Sequence, residues 1–227
     1  MKQTPVHDAH NPDLLKLMPV NAHRIVEVGC SSGVLAREYK KLNENCHYTG
    51  IDIDPDYVEL ASRYCDTAIS ADIEDPKFNL QERFPDVDCW VFGDTLEHLR
   101  DPWSILRSIH EILPPGGSVV ACIPNAQHWS IQARLSIGDF RYEDSGLLDR
   151  THLRWFTRET MLELFSSTGY RIDDGMPRVF ASTQPNFDTI IDCIRNMAIS
   201  VGGNPDLAVE DALPLQYVVR AVSNGQS

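Results

Sequence analysis

No lysine follows Lys77 in this 227-residue chain, and nowhere do Lys and Arg gather into a block. With 20 Lys and Arg against 33 Asp and Glu, the formal charge is −13. Such a surface repels phosphate backbones and anionic bilayers, so neither nucleic acid nor a membrane is an expected partner. Long apolar runs are missing too. No stretch reaches the roughly 20 residues that span a bilayer, and residues 1–10 are polar, without the apolar core of a secretory leader. The six cysteines (30, 46, 65, 89, 122 and 193) never adopt C-x-x-C spacing. At this size a disulfide framework is not expected either, so the thiols read as reduced and the protein as cytoplasmic.

What is present is an alternation. Apolar runs predict strands at 24–28, 47–52, 67–70, 87–93 and 117–123. Helical patterns fill 33–42, 55–64 and 101–113, the last opened by Asp101-Pro102 and closed by Pro114-Pro115-Gly116-Gly117. Alternating strands and helices predict an α/β, Rossmann-like, mostly parallel sheet with helices on both faces. The alternation breaks over 125–156, where Trp129, Phe140, Tyr142, Trp155 and Phe156 mix with arginines and histidines without a period. A helix over 157–168, a strand over 170–180, an irregular stretch over 181–213 and a strand over 215–222 complete seven strands. The expectation is a single domain over 1–227, with 125–156 (inserted after the fifth strand) and 181–213 as cap segments over the crevice at the strand ends.

The most informative stretch is Ile25-Val26-Glu27-Val28-Gly29-Cys30-Ser31-Ser32-Gly33, followed by Gly50-Ile51-Asp52. A short apolar run meets a glycine-bounded turn and a helix, and a second run ends in an acid nineteen residues after Gly33. Gly29 and Gly33 let the backbone approach a ligand, and Asp52 stands where a ribose hydroxyl pair needs an acceptor. A dinucleotide fold wants G-x-G-x-x-G, whereas this chain has G-x-x-x-G with Glu27 two residues ahead. A carboxylate there repels a pyrophosphate and suits a cation such as an ammonium or a sulfonium. The same argument removes a nicotinamide oxidoreductase.

These residues resemble the front of a class I S-adenosylmethionine-dependent methyltransferase, and the resemblance runs from about Leu14 to Val222. It implies S-adenosylmethionine as cofactor. Glu27, Gly29, Cys30 and Gly33 would frame its methionine end, Asp94 would also touch the cofactor, Asp52 would accept from both ribose hydroxyls, and Ile53 would lie on the adenine. Asp72 would meet the adenine amino group, unless it only caps a helix. Ser32 reads as a serine where glycine is more usual.

Val91-Phe92-Gly93-Asp94-Thr95-Leu96-Glu97-His98-Leu99, ahead of Asp101-Pro102-Trp103, resembles a motif of small-molecule and sugar O-methyltransferases. Asp94, Glu97 and His98 stand at i, i+3 and i+4, one face of a helical turn. Leu148-Asp149-Arg150-Thr151-His152-Leu153-Arg154-Trp155-Phe156-Thr157-Arg158 resembles a bacterial branch associated with cell-surface sugars. Its H-x-x-x-x-T-R frame is also similar to that of small-RNA 3′-terminal 2′-O-methyltransferases, which hold a metal on an E-x-x-E-H turn and a later histidine. The matching ligands here would be Asp94, Glu97, His98 and His152, for Mg²⁺, Mn²⁺, Fe²⁺ or Zn²⁺. Asp94 is one methylene shorter than the family's glutamate. The bland alternative is a metal-free turn whose histidine packs or serves as a base.

An alcohol is a weak nucleophile, so a base is needed if no metal is present. His152, His98 and His128 are the candidates, with His152 in the most distinctive motif. Asn125 or His128 could orient an acceptor, and Trp129, Tyr142 or Trp155 could stack on one. The expected activity is methyl transfer to a hydroxyl of a small molecule or sugar, with or without a divalent ion. N-methylation and a non-catalytic cofactor-binding partner are the alternatives.

Overall fold

The computed structural model describes residues 8–224. Seven strands form one sheet in the order β3-β2-β1-β4-β5-β7-β6. They are β1 (Arg24–Val28), β2 (His47–Asp52), β3 (Thr67–Ser70), β4 (Cys89–Gly93), β5 (Ser118–Pro124), β6 (Tyr170–Val179) and β7 (Pro214–Ser223). The first five pair in parallel. β7 runs antiparallel between β5 and β6. Helices α1 (Pro12–Leu17), α2 (Val34–Lys40), α3 (Pro55–Ala61), α4 (Leu80–Arg83) and α5 (Pro102–Ile112) accompany the parallel strands. Further on come α6 (Trp129–Ser136), α7 (Arg158–Ser166), α8 (Phe187–Ser200) and α9 (Pro205–Ala212).

Local chemistry accounts for the helix starts. α1, α3, α5 and α9 each begin with a capping Asn or Asp followed by Pro, which satisfies free N–H groups and presets φ. The central strands are covered on both faces, and β4 shows how. Trp90 and Phe92 join one core with Leu106, Ile109 and Phe165, while Cys89 and Val91 join the other with Leu14, Tyr39 and Tyr48.

The sheet and its connectivity match the predicted class. The second interruption is not irregular, however: 181–213 holds α8 and α9. The first interruption contains α6, and α1 and α4 were not predicted either. The six cysteines are free, five of them buried. Among the described residues, no helix is long and apolar enough to cross a membrane.

Candidate functional site

The chain turns from one side of the sheet to the other between β1 and β4. In open α/β sheets a ligand crevice forms at that switch, beyond the strand C-termini. A cavity of about 940 Å³ opens there, lined by the ends of β1 to β4, by α1 and its preceding residues, by the 146–153 segment and by the start of β7.

One half is built on the turn after β1. Gly29 has φ 75°, and a Cβ on it would stand 2.5 Å from Thr95 Oγ1. Gly33 has φ 74°, and its Cβ would stand 2.9 Å from Ala61 Cα. Both positions exclude a side chain on two grounds, conformation and space. The third left-handed residue of the turn is Ser31 (φ 48°), so the departure from glycine that matters falls at Ser31, not Ser32. The Ser31 N–H donates to Asp52 Oδ2 at 2.9 Å and the Asp54 N–H to Asp52 Oδ1 at 3.0 Å. Each Asp52 oxygen therefore keeps a free lone pair. Burial raises the Asp52 pKa, and those two N–H groups oppose it. Glu27 is buried beneath, its Oε2 accepting from Tyr48 Oη at 3.0 Å. Burial pushes Glu27 up to about 8, against the Tyr48 bond and with help from Asp52. Cys30 lines the cavity, and burial pushes its thiol up. Ile53 is 58% exposed on the cavity wall. Asp72 accepts from the Glu74 N–H at 2.8 Å and holds Arg100 at 2.8 Å, so it caps a turn and pairs a cation while lining the cavity.

The other half is built on a single 3₁₀ turn, Leu96–His98. Asp94 precedes it in a left-handed conformation (φ 53°), so the i, i+3, i+4 helical face does not exist. Asp94 Oδ1 accepts from Gln216 Nε2 at 2.5 Å and from Cys122 Sγ at 3.4 Å. The groups that converge are Glu97, His98 and His152, one ligand atom of each lying within 4.8 Å of the others. Asp94, also expected as a ligand, stands outside that set. Glu97 is 1% exposed, and neither carboxylate oxygen has a hydrogen-bond partner among the described residues. Burial raises its pKa well above the usual range, with Asp94 adding.

The Glu97 backbone carbonyl accepts from Leu153 N–H at 2.8 Å and Arg154 N–H at 2.9 Å, which ties the 3₁₀ turn to the second motif. His98 Nδ1 donates to Thr151 O at 3.2 Å, leaving Nε2 with its lone pair. The His98 and His152 rings meet at 4.8 Å, edge to face. Burial, then His98, lowers His152 to about 4, against Asp149.

Several expected residues stand elsewhere. His128 does not line the cavity. It caps α6, with Nδ1 2.8 Å from Ser130 Oγ, and burial lowers it to about 4. Asn125 is fully buried and donates to Asp211 O and Pro214 O, both at 2.8 Å. Trp129 packs on Phe187, and Tyr142 and Trp155 pack on Phe140; none lines the cavity. Nor does any residue of 181–213; Leu215 and Gln216 do. Those two, with Asn11, Thr95 and Arg100, carry no local signal in the sequence, because their place follows from packing between distant elements.

A family model described as a methyltransferase domain matches residues 9–174. A ubiquinone biosynthesis O-methyltransferase of Xanthomonas axonopodis pv. citri is 31% identical over 128 residues, 52% of this chain and 51% of that protein. The chain thus spans about half the length of that curated relative. Among solved structures, an S-adenosylmethionine-dependent methyltransferase from Mesorhizobium loti is 20% identical with a TM-score of 0.57, covering 92% of this chain and 95% of that one. The plantazolicin methyltransferase BpumL, solved with SAH, is 16% identical with a TM-score of 0.57, covering 90% and 77%. At these identities the structural likeness is one of fold.

Proposed function

We propose, from the premise that this chain belongs to the methyltransferase domain family and is a class I S-adenosylmethionine-dependent methyltransferase, that it methylates a hydroxyl of a small neutral molecule or sugar with a divalent ion at Glu97, His98 and His152. The observation that carries this is the buried Glu97 carboxylate on the cavity wall, without a hydrogen-bond partner among the described residues, 3.9 Å from His152 Nε2 and clustered with His98. A buried carboxylate with no partner is costly, and a cation held with two nitrogens removes the cost. One carboxylate and two imidazoles form a donor set for a borderline ion such as Mn²⁺, Fe²⁺ or Zn²⁺ more than for Mg²⁺, which prefers oxygen throughout. The O-methyltransferase relative supports oxygen as the acceptor atom.

The cofactor carries its methyl on a cationic sulfur, which makes a good leaving group for in-line displacement. A divalent ion, when bound, would lower the pKa of the acceptor hydroxyl. The rest falls to the chain. Asp52 offers both oxygens to the ribose diol, and Glu27, Gly29, Cys30 and Gly33 frame the methionine end. Ile53 and Asp72 flank the adenine. Thr151, through His98 Nδ1, fixes which ring nitrogen faces the ligand. His152, lowered to about 4, is neutral at pH 7 and so has a nitrogen lone pair to give the ion, the acceptor's proton passing to solvent. Eight acids line the cavity (Glu27, Asp52, Asp54, Asp72, Glu74, Asp94, Glu97 and Asp149), and its arginine, Arg100, already holds Asp72 and Glu74. Such walls favour an uncharged acceptor over a carboxylate or phosphate.

The test is methyl transfer from S-adenosylmethionine to 3,4-dihydroxybenzyl alcohol, a neutral compound with adjacent hydroxyls. The methyl ether should form, disappear with EDTA and return with Mn²⁺. Unchanged turnover in metal-stripped protein would remove the ion, and turnover without any methyl ether would remove the hydroxyl acceptor.

A further inference from the structure

We infer that Arg178 and Gln216 are positioning residues that aim the second oxygen of Asp94 at the ammonium group of the cofactor's amino-acid end. Both lie beyond the residues matched by the family model. The inference rests on the cofactor reading above and adds the arm that orients this residue.

The arm is a run of directed hydrogen bonds. Arg178 Nε donates to Asp13 Oδ2 at 2.9 Å, and Arg178 Nη1 donates to Gln216 Oε1 at 2.6 Å. With its oxygen held by the guanidinium, the Gln216 amide must present Nε2 to Asp94, and it donates to Oδ1 at 2.5 Å. Cys122 Sγ donates to the same oxygen at 3.4 Å. Asp94 Oδ2 has no hydrogen bond among the described residues, and Asp94 lines the cavity. Two donors on one oxygen and none on the other leave the carboxylate with one direction for a ligand.

Asp94 also holds φ 53°, a left-handed conformation that is costly for a non-glycine residue and persists only where the surroundings enforce it. Its neighbour Thr95 donates from Oγ1 to Val28 O at 2.9 Å and abuts Gly29, so Asp94 stands one residue from the turn after β1. A cationic amine fits a free carboxylate oxygen there. Glu27, the other acid at this turn, has Oε2 engaged by Tyr48 and is 5% exposed. Burial raises the Asp94 pKa, and Cys122, Gln216 and Arg178 all oppose it, so the arm favours the charged form that an ammonium needs.

Calorimetry with two ligands separates this role from a structural one. S-adenosylhomocysteine carries the amino-acid end, and 5′-methylthioadenosine has the same nucleoside and sulfur without it. Asp94→Asn and Gln216→Glu should each weaken S-adenosylhomocysteine about tenfold, the scale of a lost charge-assisted hydrogen bond. Arg178→Met should weaken it by about threefold, a smaller loss because it acts through Gln216. In all three, 5′-methylthioadenosine should bind as in the unaltered protein. Equal weakening of both ligands would mean a packing role, and no change in either would mean no role; both overturn the inference. Failure of the unaltered protein to bind S-adenosylhomocysteine would instead overturn the cofactor reading, and the inference with it.

Discussion

Glu27 carries opposite demands, since a cationic ligand wants it charged and the fold wants it neutral. Its pKa rises from 4.5 to about 8 in the folded chain. A raised pKa contributes stability that is complete below the unfolded value and is lost as pH climbs through the folded one. The ligand-free protein should therefore lose thermal stability between about pH 5 and pH 8 through this group. Glu27→Gln keeps an acceptor for Tyr48 and should flatten that loss, so its melting temperature should exceed the unaltered protein's at pH 9 and match it near pH 4.5. Parallel melting curves across that range would contradict the assignment. Asp52 makes a second test at this scale. Removing a charged acceptor of two hydroxyls, Asp52→Ala should cost about 1.5–3 kcal/mol of S-adenosylhomocysteine binding by calorimetry. The place of residues such as Gly29 and Asp52 on the crevice was legible because it is local to the strand ends and the turn after β1. That of His128 and Asn125 was not. A histidine or asparagine beside a strand end reads alike whether it faces a ligand or caps a helix, and only the packed chain decides.

Among the elements, α9 and β7 depend on a small polar lock. Asn125 donates to two carbonyls at 2.8 Å, and Asp211 holds Arg158 at 2.7 Å and Tyr217 Oη at 3.2 Å. Asn125→Ala removes one donor from each of two buried carbonyls, so urea unfolding should show a loss of roughly 2–4 kcal/mol. A loss under 1 kcal/mol would mean that water replaces the amide. The parallel strands were readable because both faces are covered and their apolar runs are continuous. α8 carries a helical period as well, with Phe187, Ile190, Ile191 and Ile194, but turn-forming residues crowd the stretch on both sides. α6 offered less, since Ile131 is its buried residue and the rest of its surface is mixed. The order of β6 and β7 had no local signal at all. Gln216 reaches Asp94 across 122 residues of sequence, and nothing short of the antiparallel pairing brings them together.

At the scale of the whole molecule, the acidity of the chain continues into its cavity. The formal charge of −13 is matched by a crevice walled with carboxyl groups, so cations are drawn in and anions turned away. Within that field sits a cluster whose carboxylate has no hydrogen-bond partner among the described residues. The account's central claim is that Glu97, His98 and His152 exist as a set to hold an ion against the acceptor hydroxyl. Titration of metal-stripped protein with Mn²⁺ in a calorimeter tests it most directly, without reference to any substrate. The unaltered protein should take up one ion, Asp94→Asn should do the same, and Glu97→Gln and His152→Ala should take up none while still binding S-adenosylhomocysteine. No heat of binding in the unaltered protein, or equal uptake by His152→Ala, would contradict it.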